Sequence, residues 1–355
     1  MAKRRKKKTN PALPQWAVTV FAVIAVVLSI FTFGGDLIGI DTSFAQQAMD
    51  FIDRILYGGP TGPTPSLPVS GQVKVYIIDV GQGESILVTT DQSSLLIDAG
   101  ENDKGDEVLE FLDQLGLEKL DYVIATHPDA DHIGGNQYLQ KQTGCPIYVP
   151  GMEQYVTCRT VLEPSLLYGG CPPKALRNKF LMAQESDAAP LTADVLPEGW
   201  ELLPLPGHFL DMVGFRTPDD VVYLADCLAS RETLDKYGIA FLYDVNAYLA
   251  TLERVKAMSA ALFIPSHAAA TEDIAPLAQY NIDRTNEAAE RIAALCTGVT
   301  FDELLSAVFA AYGLAMSLPQ YALMGSTVRS YLSYLMDAGQ VAAQPDGTRL
   351  IWQRI

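Results

Sequence analysis

YVIATHPDADHIGG, residues 122–135, is the stretch from which the fold can be read. Tyr122-Val123-Ile124-Ala125 is a short apolar, β-branched run that reads as a buried strand, and it leads directly into Thr126 and His127. His127, Asp129, Asp131 and His132 then follow within six residues. A tight loop at a strand end can aim several nitrogen and oxygen ligands at one locus. Gly134 and Gly135 allow close backbone approach where the next helix begins.

Three more strand-like runs end in the same chemistry. ELLPLPG is followed by His208, VVYLA by Asp226 and ALFIPS by His267. The chain holds four histidines in 355 residues, and all four (His127, His132, His208, His267) stand at these positions. A lone histidine is more often a packed or surface residue, because one hydrogen bond satisfies a neutral imidazole. Four on one pattern point instead to a metal centre. Imidazole with carboxylate suits zinc, manganese or iron rather than calcium, and two sites sharing a carboxylate suit hydrolysis at paired metals.

THPDADHIGG (Thr126–Gly135), PGH (Pro206–His208), LAD (Leu224–Asp226) and PSH (Pro265–His267), in that order, resemble the metallo-β-lactamase-fold hydrolase superfamily over about residues 72–295. The resemblance implies an α/β, four-layer αββα sandwich carrying two divalent ions, zinc first, with manganese or iron as alternatives. It places His127, Asp129 and His208 on the first metal, Asp131, His132 and His267 on the second, and Asp226 between them. The superfamily's commoner motif has histidine where Asp129 stands, and the carboxylate makes the site harder, favouring manganese or iron more than imidazole does. A water bridging two such ions loses its proton near neutral pH and attacks a carbonyl or phosphoryl centre. Asp131 is the candidate for orienting it, although a ligand role alone accounts for Asp131 equally well.

Two branches are echoed. VYIIDVGQGESILV through HPDADHIGG resembles the exported hydrolase domain of the competence DNA-uptake channel, ComEC, which is associated with cutting a DNA strand; Glu84 departs from the Asp usual there. The later segments, from NQYLQ onward, resemble stand-alone thioesterase- and glyoxalase-like hydrolases. Asp79 and Asp98, at strand ends, look by resemblance like residues that orient ligands; plain turn capping is the alternative. Cys227 reads as core. Lys174, Arg177 and Lys179 could clamp an anionic substrate, or form a solvated helix face.

Composition narrows the partners. Six of the 25 basic residues form one run, Lys3–Lys8, and without them 19 basic face 42 acidic residues, a net charge of −23. Such a body repels phosphate backbones, so nucleic acid enters only as a substrate and a small molecule is the expected partner. The five cysteines form no CxxC pair, though in an exported body Cys158 and Cys171 could close a loop.

WAVTVFAVIAVVLSIFTF, Trp16–Phe33, is an uncharged 18-residue run that as a helix spans about 27 Å. With the basic run before it and Asp36 and Asp41 after it, the positive-inside rule puts the tail in the cytoplasm and the body outside. A cleaved signal ending at Ser43-Phe44-Ala45 is the alternative. The expected layout is a basic cytoplasmic tail (1–15), a transmembrane anchor (16–40), an amphipathic segment with a Pro/Gly linker (41–71), the hydrolase domain (72–297) and a C-terminal unit (298–355). In the last, Thr300 with Glu303 and Ser326 mark two helix starts, and Asp346-Gly347 a hairpin, a helix–helix–hairpin order that resembles a winged helix. Its three arginines against four acids make DNA reading doubtful.

The expected protein is thus a single-pass membrane protein with an outward-facing binuclear metallohydrolase acting on a small ester, thioester, lactone or lactam. An exported phosphodiesterase or nuclease of the ComEC kind is the rival, and a non-catalytic partner-binding surface protein the reading from another class.

Overall fold

Alternation of side chains along short strands builds the molecule into layers. The computed structural model describes residues 73–355 apart from Gln82, Asp91, Gln92 and Glu118; the expected tail, anchor and linker lie outside the described residues. The first half runs β1 (Lys74–Ile77), β2 (Ile86–Thr89), β3 (Ser94–Ile97), α1 (Gly105–Gln114), β4 (Tyr122–Ile124), α2 (Ala130–Ile133), α3 (Asn136–Thr143), β5 (Ile147–Val149), α4 (Glu153–Cys158), α5 (Leu162–Tyr168) and β6 (Ala188–Pro190). Then come β7 (Glu201–Pro204), β8 (Val213–Arg216), β9 (Val221–Tyr223), α6 (Arg231–Tyr237), α7 (Val245–Lys256), β10 (Leu262–Ile264) and α8 (Ala275–Leu295). The chain ends with β11 (Thr297–Thr300), α9 (Phe301–Tyr312), α10 (Leu318–Asp337), β12 (Val341–Asp346) and β13 (Arg349–Arg354).

One sheet has the order β1-β2-β3-β4-β5-β6 and a second the order β10-β9-β8-β7. Ile86, Val88, Leu95, Ile97 and Ile124 of the first sheet meet Val213, Phe215, Tyr223 and Ile264 of the second in one cluster. Their sequence neighbours turn the other way, as the two-residue period of a strand requires. Leu87, Leu96 and Val123 pack with Val108 and Leu112 of α1 and Leu139 of α3, while Val222 and Phe263 pack with residues of α7, α8, α9 and α10. The result is helix on sheet on sheet on helix.

Strand direction decides where the site falls. β4 is parallel to β3, and β2, antiparallel to β3, begins at the edge where β3 ends. Glu84, Asp98 and His127 therefore leave the first sheet on one side. In the second sheet β9 and β10 are parallel, and β8 is antiparallel to both its neighbours, so β7 runs with β9. The segments carrying His208, Asp226 and His267 thus also emerge on one side.

The C-terminal elements differ from expectation in one place. Thr300 caps α9 with Glu303 in a reciprocal capping box, as its spacing implies. α10, however, starts before Ser326: Ser317 caps it, accepting from the Gln320 N–H at 3.3 Å, and Pro319 occupies the first turn, where its missing N–H costs nothing. β12 and β13 form the hairpin, with β11 on the far side of β13. All five cysteines are free thiols, Cys158 and Cys171 included, and Cys227 is buried. Among the described residues no helix is long and apolar enough to cross a membrane.

Leu304, Val308, Val328 and Leu335 share a cluster with Val222 and Phe263 of the second sheet. Leu335→Ala, at a position 1% exposed, is expected to destabilise the fold by about 2–5 kcal/mol. Trp200 stacks on Tyr223 and Trp352 packs on the larger cluster. Urea unfolding followed at either tryptophan, with the others replaced by phenylalanine, should show equal midpoint shifts; a shift confined to Trp352 would contradict the shared core.

Candidate metal centre

The 126–135 loop folds tightly because its backbone lies against the end of β3. Ala99 N donates to His132 O at 2.7 Å and Gly135 N to Gly100 O at 3.2 Å. A Cβ on Gly135 would stand 2.3 Å from Ala99 O, so no side chain fits there. Asp129 precedes the single turn α2 in an extended conformation, and its carbonyl accepts from the His132 N–H at 2.9 Å.

The structure brings all seven expected ligand residues to one cluster. His127, Asp129 and His208 present ligand atoms close to one another, as do Asp131, His132 and His267, and His127, His132 and Asp226. Asp129 Oδ2 lies 3.1 Å from His208 Nε2 and 3.5 Å from His127 Nε2. Asp226 stands among all four imidazoles: Oδ1 is 3.2 Å from His132 Nε2, while Oδ2 is 3.0 Å from His267 Nε2 and 3.9 Å from those of His127 and His208. Asp131, with 36% of its side chain exposed, is 3.9 Å from His267 Nε2.

These residues fit a metal. His127 Nε2, His132 Nε2 and Asp226 Oδ1 are buried without a hydrogen-bond partner, a cost of about 1–3 kcal/mol apiece that coordination removes. Donors about 2.1 Å from a shared divalent ion lie roughly 3.0–3.4 Å apart, close to the shorter separations here.

The remaining ring nitrogens are held from behind. Asp98, fully buried, accepts from the Thr126 N–H at 2.8 Å and from its hydroxyl at 2.7 Å, and bonds His132 Nδ1 at 2.9 Å. Thr126 Oγ1 also lies 3.0 Å from His127 Nδ1, and His208 Nδ1 lies 3.2 Å from Phe241 O. Such partners fix tautomer and ring orientation. Two non-glycine residues here adopt left-handed backbone, Asp98 (φ 57°) and Ala225 (φ 45°). Alanine has no polar side chain to favour that conformation, so the strain beside Asp226 is sustained by the surrounding structure.

Charges and burial oppose each other throughout. Burial alone raises Asp129 and Asp226, yet His127 and His208 beside the first, and His132 and His267 beside the second, hold both carboxyls well below the usual range. Burial depresses His132 and His208, but neighbouring carboxylates leave both raised; His267 is raised chiefly by Asp226.

Other expected residues are placed differently. Asp79 is exposed and accepts from Gly81 N at 3.1 Å, the turn-capping alternative. Lys174, Arg177 and Lys179 are exposed, and Lys179 pairs with Asp103 at 3.1 Å; none lines the cavity beside the ligands. Glu84 is legible in sequence only as a departure from a motif, but it is buried, clusters with Asp98 and His132, and accepts from the Ser266 hydroxyl, next to His267. Burial and the Asp98 charge push its carboxyl up to about 7. Thr126 escapes sequence reasoning in the same way, its one available signal being a hydroxyl directly before His127.

A family model described as the metallo-beta-lactamase superfamily matches residues 78–267. The chain belongs to that superfamily. Its members are typically metal-dependent hydrolases, and the fold suggests divalent ions, typically zinc. In solved structures it resembles a metallo-beta-lactamase family protein from Thermus thermophilus, with TM-score 0.59 and 15% identity over 79% of this chain and 98% of that one. A beta-lactamase domain protein from Burkholderia ambifaria gives 0.60 and 16% over 83% and 97%. Both show the fold alone. Competence protein ComA of Neisseria gonorrhoeae is 30% identical over 124 residues, 35% of this chain and 18% of that protein's length.

Asp98→Asn keeps the shape but removes the charge behind His132 Nδ1. Zinc affinity, read by competition with a chromophoric chelator, is expected to fall about 10–100-fold, and an unchanged affinity would rule out the supporting role. A second expectation concerns pH. In the metal-free chain Glu84 and the three histidines are raised, so the folded state binds extra protons and loses stability as pH rises through 7. The lowered Asp129 and Asp226 act only at the acid end, where their contribution is lost as pH falls below the ordinary carboxylate range. Metal competes with those protons, so the zinc-loaded chain should instead gain stability between about pH 6 and 8. Parallel urea titrations check this, and profiles of the same slope would contradict it.

Proposed function

We propose that the chain is a binuclear metallohydrolase acting on a carboxylic ester, thioester, lactone or lactam. The observation that carries this reading is the pairing of two ligand groups, His127–Asp129–His208 and Asp131–His132–His267, around one largely enclosed carboxylate, Asp226. Two divalent ions, zinc first, with manganese or iron favoured somewhat by Asp129, would supply a nucleophile from water near neutral pH and stabilise negative charge on the substrate oxygen. The chain's own contribution is to hold the imidazoles through Asp98, Thr126 and the Phe241 carbonyl. Asp131, partly exposed and lining the adjoining cavity, orients the attacking water and takes up its proton.

No Lys or Arg is among the described residues lining that cavity, which supports a carboxylic ester over a phosphodiester. Similarity to competence protein ComA favours a second reading, an exported phosphodiesterase or nuclease of the competence-channel kind. The apolar segment at 16–33, flanked by its charge step, supports an uncleaved anchor with the hydrolase outside the membrane. We read α9, α10 and the β12–β13 hairpin as a winged-helix-like wall to the site.

The test is metal content of the full chain with parallel assays of a chromogenic lactam, a thioester, a p-nitrophenyl phosphodiester and single-stranded DNA. Two ions per chain and turnover of lactam or thioester, reduced about a hundredfold or more in His132→Ala, is the expected result. Preference for the phosphodiester or DNA selects the second reading. Fewer than one ion per chain after reloading with zinc and manganese, without turnover, overturns both.

A further inference from the structure

Two cavities flank the ligand cluster. The larger, of about 600 Å³, has Asp131, His208, Asp226 and His267 at one end. Its apolar walls include Leu234, Ile239 and Phe241, together with Leu314, Leu323 and Met324. The last three lie beyond residue 267, where the superfamily match ends, so this wall is a feature the ligand motifs do not encode. A cavity of this size is in the range that holds a small-molecule ligand, and a negative charge on that ligand away from the ligand cluster would find no Lys or Arg among the described residues of its lining. Tyr248 also lines it, but its hydroxyl donates to Asn281 Oδ1 at 3.2 Å and so adds surface rather than a free donor.

The smaller cavity, of about 180 Å³, shares Asp131, Phe241 and Leu323 with the larger. It contains Glu163, which is 5% exposed and whose Oε2 has no hydrogen-bond partner. A substrate spanning both sides thus meets Glu163 in the smaller cavity and, in the larger, a mainly aliphatic wall that also includes Thr233, Tyr237 and Gln320.

Resting on the hydrolase reading above, we propose that the larger cavity holds the acyl group of the substrate, which is an ester or thioester of an uncharged aliphatic acid. Leu314, Leu323 and Met324 set the length of chain accepted. Water's oxygen ends on the acyl carbon, the carbon–oxygen or carbon–sulfur bond breaks, and a proton goes to the leaving alcohol or thiol.

Two readouts test this with the full chain. In the zinc-loaded chain, kcat/KM for p-nitrophenyl acetate, butyrate, hexanoate, octanoate and decanoate should rise about fourfold per added methylene until the cavity is filled. In the metal-free chain, ethyl decanoate should displace N-phenyl-1-naphthylamine and ethyl acetate should not. Leu323→Gln and, as a second variant at a partly exposed position, Leu314→Glu should each cut the octanoate-to-acetate ratio at least tenfold and weaken the displacement. Turnover of acetate with a flat chain-length profile overturns the acyl site and leaves the hydrolase reading standing. Displacement without turnover of any ester retains the apolar site and overturns ester hydrolysis. Failure of both overturns the acyl site, while the hydrolase reading stands or falls on the metal content and the lactam and thioester assays above.

Discussion

Asp226 is the charge around which the molecule is organised. It is a carboxylate with only 10% of its side chain exposed and the Nε2 atoms of four histidines within 3.9 Å, and those histidines stand beyond the strand ends of two different sheets. An isolated carboxylate in such a place would be strongly disfavoured, so its neighbours must carry compensating charge as protons or as metal. Each imidazole that helps Asp226 is itself buried or partly buried and needs its own partner. The demand passes outward to Asp98, to the Thr126 hydroxyl and to the Phe241 carbonyl, where neutral or fully bonded groups end it.

The layered fold serves this demand geometrically. A cluster of charges tolerates little displacement, because the interactions that offset desolvation fall off with distance. Packing two sheets face to face fixes the relative height of their strand ends. Inter-sheet contacts such as Ile97 and Ile124 with Val213 and Tyr223 therefore position ligands they do not touch. The strained Ala225 is a local consequence: the chain turns sharply after β9 to present Asp226, and its carbonyl accepts from Ser266 N, next to His267.

Much of this is legible in sequence because the ligands are chemically rare and locally marked. Four histidines in a long chain, each following a strand-like run, leave few arrangements open, and β4, β7, β9 and β10 coincide with those runs. What escapes depends on contacts distant in the chain. Glu84 and Ser266 are 182 residues apart, and nothing local to DVGQGES announces that its carboxylate will meet a hydroxyl beside His267. Ser326 offers the right residue type for the start of α10, yet burial of Ala322, Met324 and Val328 holds an earlier turn in the helix. Lys174, Arg177 and Lys179 read as a charged cluster, but charge alone does not say which way a loop faces, and these point to solvent.

Phe241 joins the ligand shell to the substrate walls. Its carbonyl holds His208 Nδ1, its ring packs edge-on against the His208 imidazole at 5.5 Å, and it lines both cavities. A residue that acts through its backbone on one side and its side chain on the other lets the two functions vary separately, since exchanging the ring leaves the carbonyl in place. The same separation holds at larger scale. The ligands lie between residues 127 and 267, whereas Leu323 and Met324 approach from α10 and Leu314 from the connection before it, further along the chain. Substitution in that C-terminal segment alters the shape and polarity met by a substrate without changing a donor atom of the cluster. For that reason the ligand motifs specify the metal chemistry of this chain far more tightly than the molecule on which it acts.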